Sequence, residues 1–171
     1  MTQTALKTES VADRTASISR QINVPARYVF AAHSTAENIA RWYGPETYPV
    51  TQCDYDFRVG GIWRMVMTGP DGQDGPHFGG SFLDIVPNRR IVYTNGFEDG
   101  RGGDMNLSNA QDKMTITTTF DEVDGTTTIT VSTLFASVAM KDEFLKFGMH
   151  EGMESGFDQL DGVAQELARK G

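Results

Sequence analysis

The chain contains one cysteine, Cys53, three histidines and no long uninterrupted run of apolar residues among its 171 residues. A single thiol cannot form a disulfide within the chain, and the alternating pattern around it predicts a small buried side chain rather than a nucleophile. The histidines at 33, 77 and 150 have neither the i, i+4 spacing nor the neighbouring cysteines of a metal site. We therefore predict no metal and no cofactor.

Long apolar segments are missing as well. No stretch approaches the roughly 18 apolar residues of a membrane span, and none resembles the hydrophobic part of a signal peptide. The sequence therefore predicts a cytoplasmic location and no membrane partner.

Basic side chains are outnumbered by acidic ones, 15 to 23, which gives a net charge of -8. This charge repels the phosphate backbone of nucleic acids and anionic lipid surfaces. A nucleic-acid partner is therefore not expected. Phosphate loops, dinucleotide fingerprints, nucleophile elbows and paired carboxylates are also lacking, so no catalytic residue is assigned.

The hydrophobic content of 39% is enough for one domain with its own core. Residues 1–13 are polar and without periodicity, which predicts a flexible N-terminal tail. A single domain is predicted over 14–171.

The predicted order of elements is a strand, two short helices, six strands and a long helix. Pro25 suits the start of the first helix, Ser34 or Thr35 can cap the second, and Gly44 followed by Pro45 stops it. Residues 98–112 are polar and glycine-rich, which indicates a long loop or a lid. Alternating patterns bounded by turn residues predict strands near 15–23, 49–59, 61–68, 77–86, 89–97, 113–122 and 126–135.

One face of the predicted sheet is apolar, and residues 141–170 form the only helical pattern long enough to cover it. Gly148, Gly152 and Gly156 lie four apart in this pattern. Each glycine within a helix costs about 1 kcal/mol relative to alanine, so the stripe requires a physical reason. Close packing on Trp42 or Trp63 and space kept for a ligand are the two explanations.

Five short strings, in order along the chain, resemble a known family. They are INVPARYVFAAH at 22–33, RWYGP at 41–45, RVGGIWR at 58–64, GPDG at 69–72 and the glycine-spaced segment 148–160. They are similar to the branch of the SRPBCC superfamily named after the activator of heat-shock protein 90 ATPase. The superfamily also includes START-type lipid binders and birch-pollen-type allergens.

The resemblance implies an α+β helix-grip fold, in which a seven-stranded antiparallel sheet wraps around a long C-terminal helix and two short helices follow strand one. It also implies a deep cavity between the sheet and that helix. Non-catalytic binding of a small hydrophobic molecule is the function expected. The residues predicted to line the cavity are Trp42, Trp63, Met65, Phe82, Tyr93, Asn95, Phe147, Met153 and Phe157, with Tyr93 and Asn95 as the groups that orient the ligand.

Two alternatives stay open. The first is a cyclase-type or hydrolase-type enzyme that uses the same cavity, with His150 or Tyr93 as acid or base. The second is a chaperone-linked protein-interaction module. A chaperone partner is not favoured, because the chain has no room for the chaperone-stimulating half of the co-chaperone that gives the branch its name. A homodimer is left open.

Overall fold

The computed structural model describes residues 9–75, 77–97 and 114–171. The predicted loop or lid at 98–112 and the first eight residues of the predicted tail lie outside the described residues. The elements are β1 (Thr15–Ile22), α1 (Ala26–Ala31), α2 (Ala36–Ala40), β2 (Val50–Tyr55), β3 (Ile62–Met67), β4 (Phe78–Val86), β5 (Arg90–Phe97), β6 (Met114–Val123), β7 (Thr126–Leu134), α3 (Val138–Lys146) and α4 (Met149–Lys170).

The seven strands form one antiparallel sheet in the order β1-β7-β6-β5-β4-β3-β2. Consecutive strands from β2 to β7 are neighbours, as the turn-rich connections of the sequence predict. β1 closes the order by pairing with β7. The seven-stranded antiparallel sheet and the two short helices after strand one are thereby confirmed.

Local backbone features bend the sheet and turn the chain. The register shifts between Phe82 and Asp84 on β4, which places a bulge there and increases the local twist. Asp124 and Gly125, with φ of 53° and 80°, make the tight turn between β6 and β7. The result is a concave apolar face that needs a cover.

The two short helices begin and end at the residues that the sequence indicates. Pro25 precedes α1, and the Thr35 side chain accepts a hydrogen bond from the backbone N–H of Asn38 at 3.1 Å. Gly44, with φ of 85°, follows α2 and turns the chain towards β2. The indole Nε1 of Trp42 donates to the Ala32 carbonyl at 2.9 Å and so joins the two helices.

The terminal helical pattern is interrupted, and the expectation of one continuous helix over 141–170 is wrong at this point. α3 ends at Lys146 with Phe147 as its C-cap, and Gly148 has φ of 89°, a left-handed conformation that glycine adopts without strain. α4 then begins at Met149 and runs to Lys170. Gly148 therefore lies between the two helices, and of the three glycines spaced four apart only Gly152 and Gly156 lie within α4.

The two halves of α4 have different surroundings. Leu160, Val163 and Ala164 in its C-terminal half are buried in the same core cluster as Val29 of α1 and Ile129 of β7, and α4 packs against α1. The N-terminal half, from Met149 to Phe157, lies instead along a hollow between the helix and the sheet. The domain thus has a solid end and a hollow end.

Hydrogen bonds fix the position of α4. Asp158 pairs with Arg20 of β1 at 2.8 Å, and Glu166 pairs with Arg41 after α2. The Gln159 amide donates to the Gly44 carbonyl at 2.9 Å. The middle and the C-terminal part of the covering helix are therefore tied to the sheet or to the segment that follows α2.

Residues 9–13 form a hydrogen-bonded turn against the start of α3. The Glu9 carboxylate accepts from the Val138 backbone N–H at 3.0 Å, and Lys141 donates to the Asp13 carbonyl at 2.8 Å. This segment packs on the domain. The predicted tail stays a prediction for residues 1–8.

Candidate functional site

The hollow is a cavity of about 390 Å³. Its walls come from the concave face of β2 to β7, from the loop after α2, and from α3 and the N-terminal half of α4. Apolar and aromatic side chains make up most of the wall. Its lining includes His33, Ile39, Trp42, Tyr43, Pro45, Tyr55, Trp63, Met65, Met67, Phe78, Phe82, Ile91, Tyr93, Asn95, Met114, Ile116, Thr118, Val131, Thr133, Phe144, Phe147, Met149, Met153 and Phe157.

All of the residues predicted from the sequence to line the cavity lie along its wall. Three of them, on β3 and β4, form the buried part of the sheet side: Trp63, Met65 and Phe82 are 1–2% exposed. Trp42 comes from the segment after α2, Tyr93 and Asn95 from β5, and Met153 and Phe157 from α4. Phe147 differs from the others, because it stands at the rim with 80% of its surface exposed.

The aromatic wall is held in place by ring contacts and by satisfied indole groups. Trp63 makes edge contacts with Phe78 and Tyr93, with ring centroids at 5.9 Å and 5.5 Å. Its Nε1 donates to the Thr94 carbonyl at 3.0 Å. Because the polar edge of this indole already has a partner, the ring presents only apolar surface to the hollow.

The glycine stripe has a simple steric role. A Cβ at Gly152 would lie 3.4 Å from the Pro45 ring, and one at Gly156 would lie 3.4 Å from the Trp42 carbonyl oxygen. Gly152 and Gly156 therefore face the proline and backbone of the segment after α2 and not the rings of Trp42 or Trp63. Both glycines also border the cavity. Small residues let α4 approach this loop closely at the edge of the cavity.

Three tyrosine hydroxyls are buried in or beside the wall. Burial raises the pKa of Tyr43 to about 12, although its hydrogen bond with Tyr93 opposes the rise. Burial is also the main cause that raises the pKa of Tyr55 and of Tyr93 well above the ordinary value. The Tyr55 hydroxyl donates to the His33 carbonyl at 2.7 Å. These phenols are neutral hydrogen-bonding groups.

Asn95 lies on the same face of β5 as Tyr93. Its Oδ1 is buried and finds no hydrogen-bond partner among the described residues. A buried amide oxygen without a partner costs stability, and such groups in a cavity wall are candidates for orienting a ligand.

His33 is a cavity residue that the sequence interpretation missed. Its Nδ1 donates to the Val29 carbonyl at 2.8 Å, since a carbonyl can only accept, and this fixes the tautomer with the proton on Nδ1. Desolvation by burial lowers the pKa of His33 to about 4. The spacing of four residues from Val29 on an apolar helix face was the signal in the sequence. Tyr43 and Tyr55 were missed as well.

The other two histidines do not line the cavity. His77 follows the turn before β4 and forms a hydrogen bond with Arg64 at 2.7 Å on the outer face. The Nε2 of His150 is buried without a hydrogen-bond partner among the described residues. His150 is absent from the wall, which removes the geometric basis for its role as an acid or base over a bound substrate.

Groups of three or more histidine, cysteine or carboxylate side chains suited to a metal ion do not occur in the described parts of the chain. Within the same residues, no helix has the length and apolar character needed to cross a membrane.

Comparison with known protein families identifies the family of the chain. Residues 23–165 match the family described as Activator of Hsp90 ATPase homolog 1-like protein. The chain belongs to this family. The match covers both short helices, the strands from β2 to β7 and most of α4, so it includes every element that builds the cavity wall.

Solved structures with the same fold come from several bacteria. A protein of Arthrobacter aurescens superposes with a TM-score of 0.79 at 25% identity, over 92% of this chain and 90% of that one. A protein of Mycobacterium smegmatis gives a TM-score of 0.76 at 26% identity, over 90% and 92% of the two chains. A protein of Nitrosomonas europaea, with a TM-score of 0.78 and 21% identity over 91% and 96%, shows the fold alone. No curated protein matches the sequence.

Proposed function

We propose that this member of the Hsp90 ATPase activator-like family binds a small, largely apolar molecule in the cavity, without catalysis. The observation that supports the proposal is the cavity of about 390 Å³ with its apolar and aromatic wall. Protein interiors normally pack as densely as organic crystals, and voids larger than a water molecule are few. A hollow in the range of about 300–1,000 Å³ has the size and composition of small-molecule sites.

The wall residues predicted from the sequence are proposed as the binding surface. Trp42, Trp63 and Phe157 supply rigid rings, Met65 and Met153 supply flexible side chains that adapt to different shapes, and Phe82 extends the apolar floor. Tyr93 and Asn95 supply the few polar groups, and Phe147 stands at the entrance. Burial of apolar surface at about 25 cal/mol per Å² drives binding, so selectivity among apolar ligands is modest.

The enzyme alternative receives no specific support. Tyr93 and Tyr43 are poor proton donors and acceptors near neutral pH because burial raises their pKa values. His33 is a weak base, because burial lowers its pKa to about 4. The chaperone-linked alternative, the homodimer and the cytoplasmic location stay predictions.

Native mass spectrometry of freshly purified protein tests the proposal. A retained molecule would appear as a mass above that of the chain and would be lost on denaturation. A second measurement uses intrinsic fluorescence, since both tryptophans of the chain, Trp42 and Trp63, line the cavity. Titration with a library of lipophilic metabolites is expected to give saturable changes.

A tryptophan-specific control separates cavity binding from adhesion to the surface. Replacing Trp63 by phenylalanine leaves Trp42 as the single reporter, and saturable binding should still be seen from the other side of the cavity. No retained mass and no saturable change with any ligand would remove the proposed function.

A further inference from the structure

The cavity wall carries no formal charge at any of its described residues. Two ion pairs join elements around the cavity. Arg20 pairs with Asp158 between β1 and α4, and Arg90 pairs with Asp84 on the adjoining strands β5 and β4. Both pairs lie outside the lining. A charged ligand would therefore leave water without meeting a counter-charge in the wall.

The titratable side chains that do face the hollow are His33, Tyr43, Tyr55 and Tyr93. Burial lowers the pKa of His33 to about 4 and raises the pKa of Tyr43 to about 12, and it also raises those of the other two tyrosines. Each of these groups is therefore neutral between about pH 6 and pH 9. The described residues of the wall therefore stay uncharged over the whole of this range.

One feature at the entrance, in the described part of the chain, attracts anions. α4 begins at Met149, next to Gly148, and the positive end of its helix dipole points to the rim. Glu151, in the first turn of the helix, places a carboxylate close to Gly148 and offsets this potential. An anion attracted there would stay at the rim, in water, rather than enter the hollow.

We propose that the cavity admits its ligand only as an uncharged molecule, so that a compound with an ionisable group is bound in its neutral form. This inference rests on the proposed binding function and narrows it to neutral apolar compounds. A ligand whose carboxylate or ammonium group would have to lie inside the hollow is rejected, because an isolated charge in an apolar site without a partner is strongly disfavoured. Neutral alcohols, phenols, ketones and lactones are accepted.

Two coumarins test the inference. 7-Hydroxycoumarin loses its phenolic proton close to neutral pH, and its neutral and anionic forms have different excitation bands. 7-Methoxycoumarin has the same ring system without the proton. Protein added to 7-hydroxycoumarin near its pKa is expected to convert the anion band into the neutral band. A tenfold preference for the neutral form raises the apparent pKa of the bound phenol by about one unit.

A charge placed in the wall should reverse this shift. Met153 lies on α4 at the cavity, half-buried, so the long side chain in Met153→Lys can place an ammonium group beside the ligand. Gln165→Lys adds the same charge to the same helix, outside the lining. The first variant is expected to lower the apparent pKa of bound 7-hydroxycoumarin relative to the unmodified protein. The second should leave it unchanged. Far-ultraviolet circular dichroism checks that both lysine variants are folded. The band shift of 7-hydroxycoumarin with the unmodified protein tests the inference without either variant.

The outcomes separate the inference from the function on which it rests. Two results together support the inference. 7-Methoxycoumarin binds with an affinity that does not change between about pH 6 and pH 9, and 7-hydroxycoumarin binds in its neutral form. Binding of 7-hydroxycoumarin as the anion overturns it and leaves the proposed function in place. Failure of both coumarins to bind, with no retained molecule in the mass spectrum, overturns both.

Discussion

An added side chain should distinguish the hollow end of the domain from the solid end. Val131 and Ile129 lie two residues apart on the same face of β7, and both are buried. Val131 borders the cavity, whereas Ile129 packs entirely within the core. The substitutions Val131→Phe and Ile129→Phe therefore insert the same ring from the same strand into space that is empty in one case and filled in the other.

The structure sets the expected magnitudes. Phenylalanine has four more side-chain carbons than valine, and burying each is worth about 0.8 kcal/mol, so Val131→Phe gains about 3 kcal/mol before any strain. Side-chain adjustment in the wall subtracts about 1–3 kcal/mol. We expect a net rise of about 1 kcal/mol in the free energy of unfolding. Ile129→Phe has no space to occupy and should lower it by about 1–3 kcal/mol through overpacking.

Urea unfolding followed by circular dichroism measures both variants, with the slope against denaturant checked for two-state behaviour. The difference between the two variants matters more than either value, because strand propensity and hydrophobicity change in the same direction in both. A Val131→Phe protein as destabilised as the Ile129→Phe protein would show that the space beside Val131 is filled. The cavity, and the function proposed from it, would then be refuted.

Three further predictions concern single residues. Gly148→Ala should lower the free energy of unfolding by about 1 kcal/mol, because the residue has φ of 89°. Gly162→Ala, with no atom near the added Cβ, should raise the free energy of unfolding by about 1 kcal/mol. Denaturant titrations in which the two glycine variants change stability in the same direction would contradict the helix break. Asn95→Leu removes a buried oxygen that has no described hydrogen-bond partner, so the free energy of unfolding from thermal denaturation should rise by about 1 kcal/mol. A fall in this free energy would mean that the amide is paired. Burial lowers the pKa of His33 from 6.5 to about 4. The contribution of neutral His33 to the stability of the fold is therefore complete above about pH 6.5 and is lost as the pH falls towards 4. Through this group, the free energy of unfolding should be about 2 kcal/mol higher at about pH 7 than at about pH 5. The His33→Gln variant should show a smaller difference between the two pH values. An equal difference in the variant would exclude His33 as the cause.

The strands were predictable because alternation along a strand is a local property. Apolar residues occupy alternate positions along parts of β6 and β7, such as Met114 and Ile116 or Ile129 and Val131. The turn at Asp124 and Gly125 marks where β6 ends and β7 begins. The same reasoning found part of the cavity wall. Trp63, Met65 and Phe82 lie on the apolar face of their strands, and that face is the one the helix covers.

The break in the terminal helix was not predictable from periodicity. Apolar residues continue through the break in almost the same phase, and glycine is tolerated both inside a helix and at its end. The left-handed conformation of Gly148 is decided by where α3 must stop for α4 to cross the sheet. His33 was missed for a related reason, since its burial depends on contacts with Trp42 and Phe120, which are distant in sequence.

The sequence by itself determined the element order, the apolar face of the sheet and the family, because these depend on local spacing and on short strings of residues. Only the tertiary structure decided that the N-terminal half of α4 stands away from the sheet while its C-terminal half packs upon it. The spacing of apolar side chains on a helix is the same over a cavity and over a filled core. Whether space remains beneath them depends on how closely the backbones approach, and that distance is set by contacts between residues far apart in the chain.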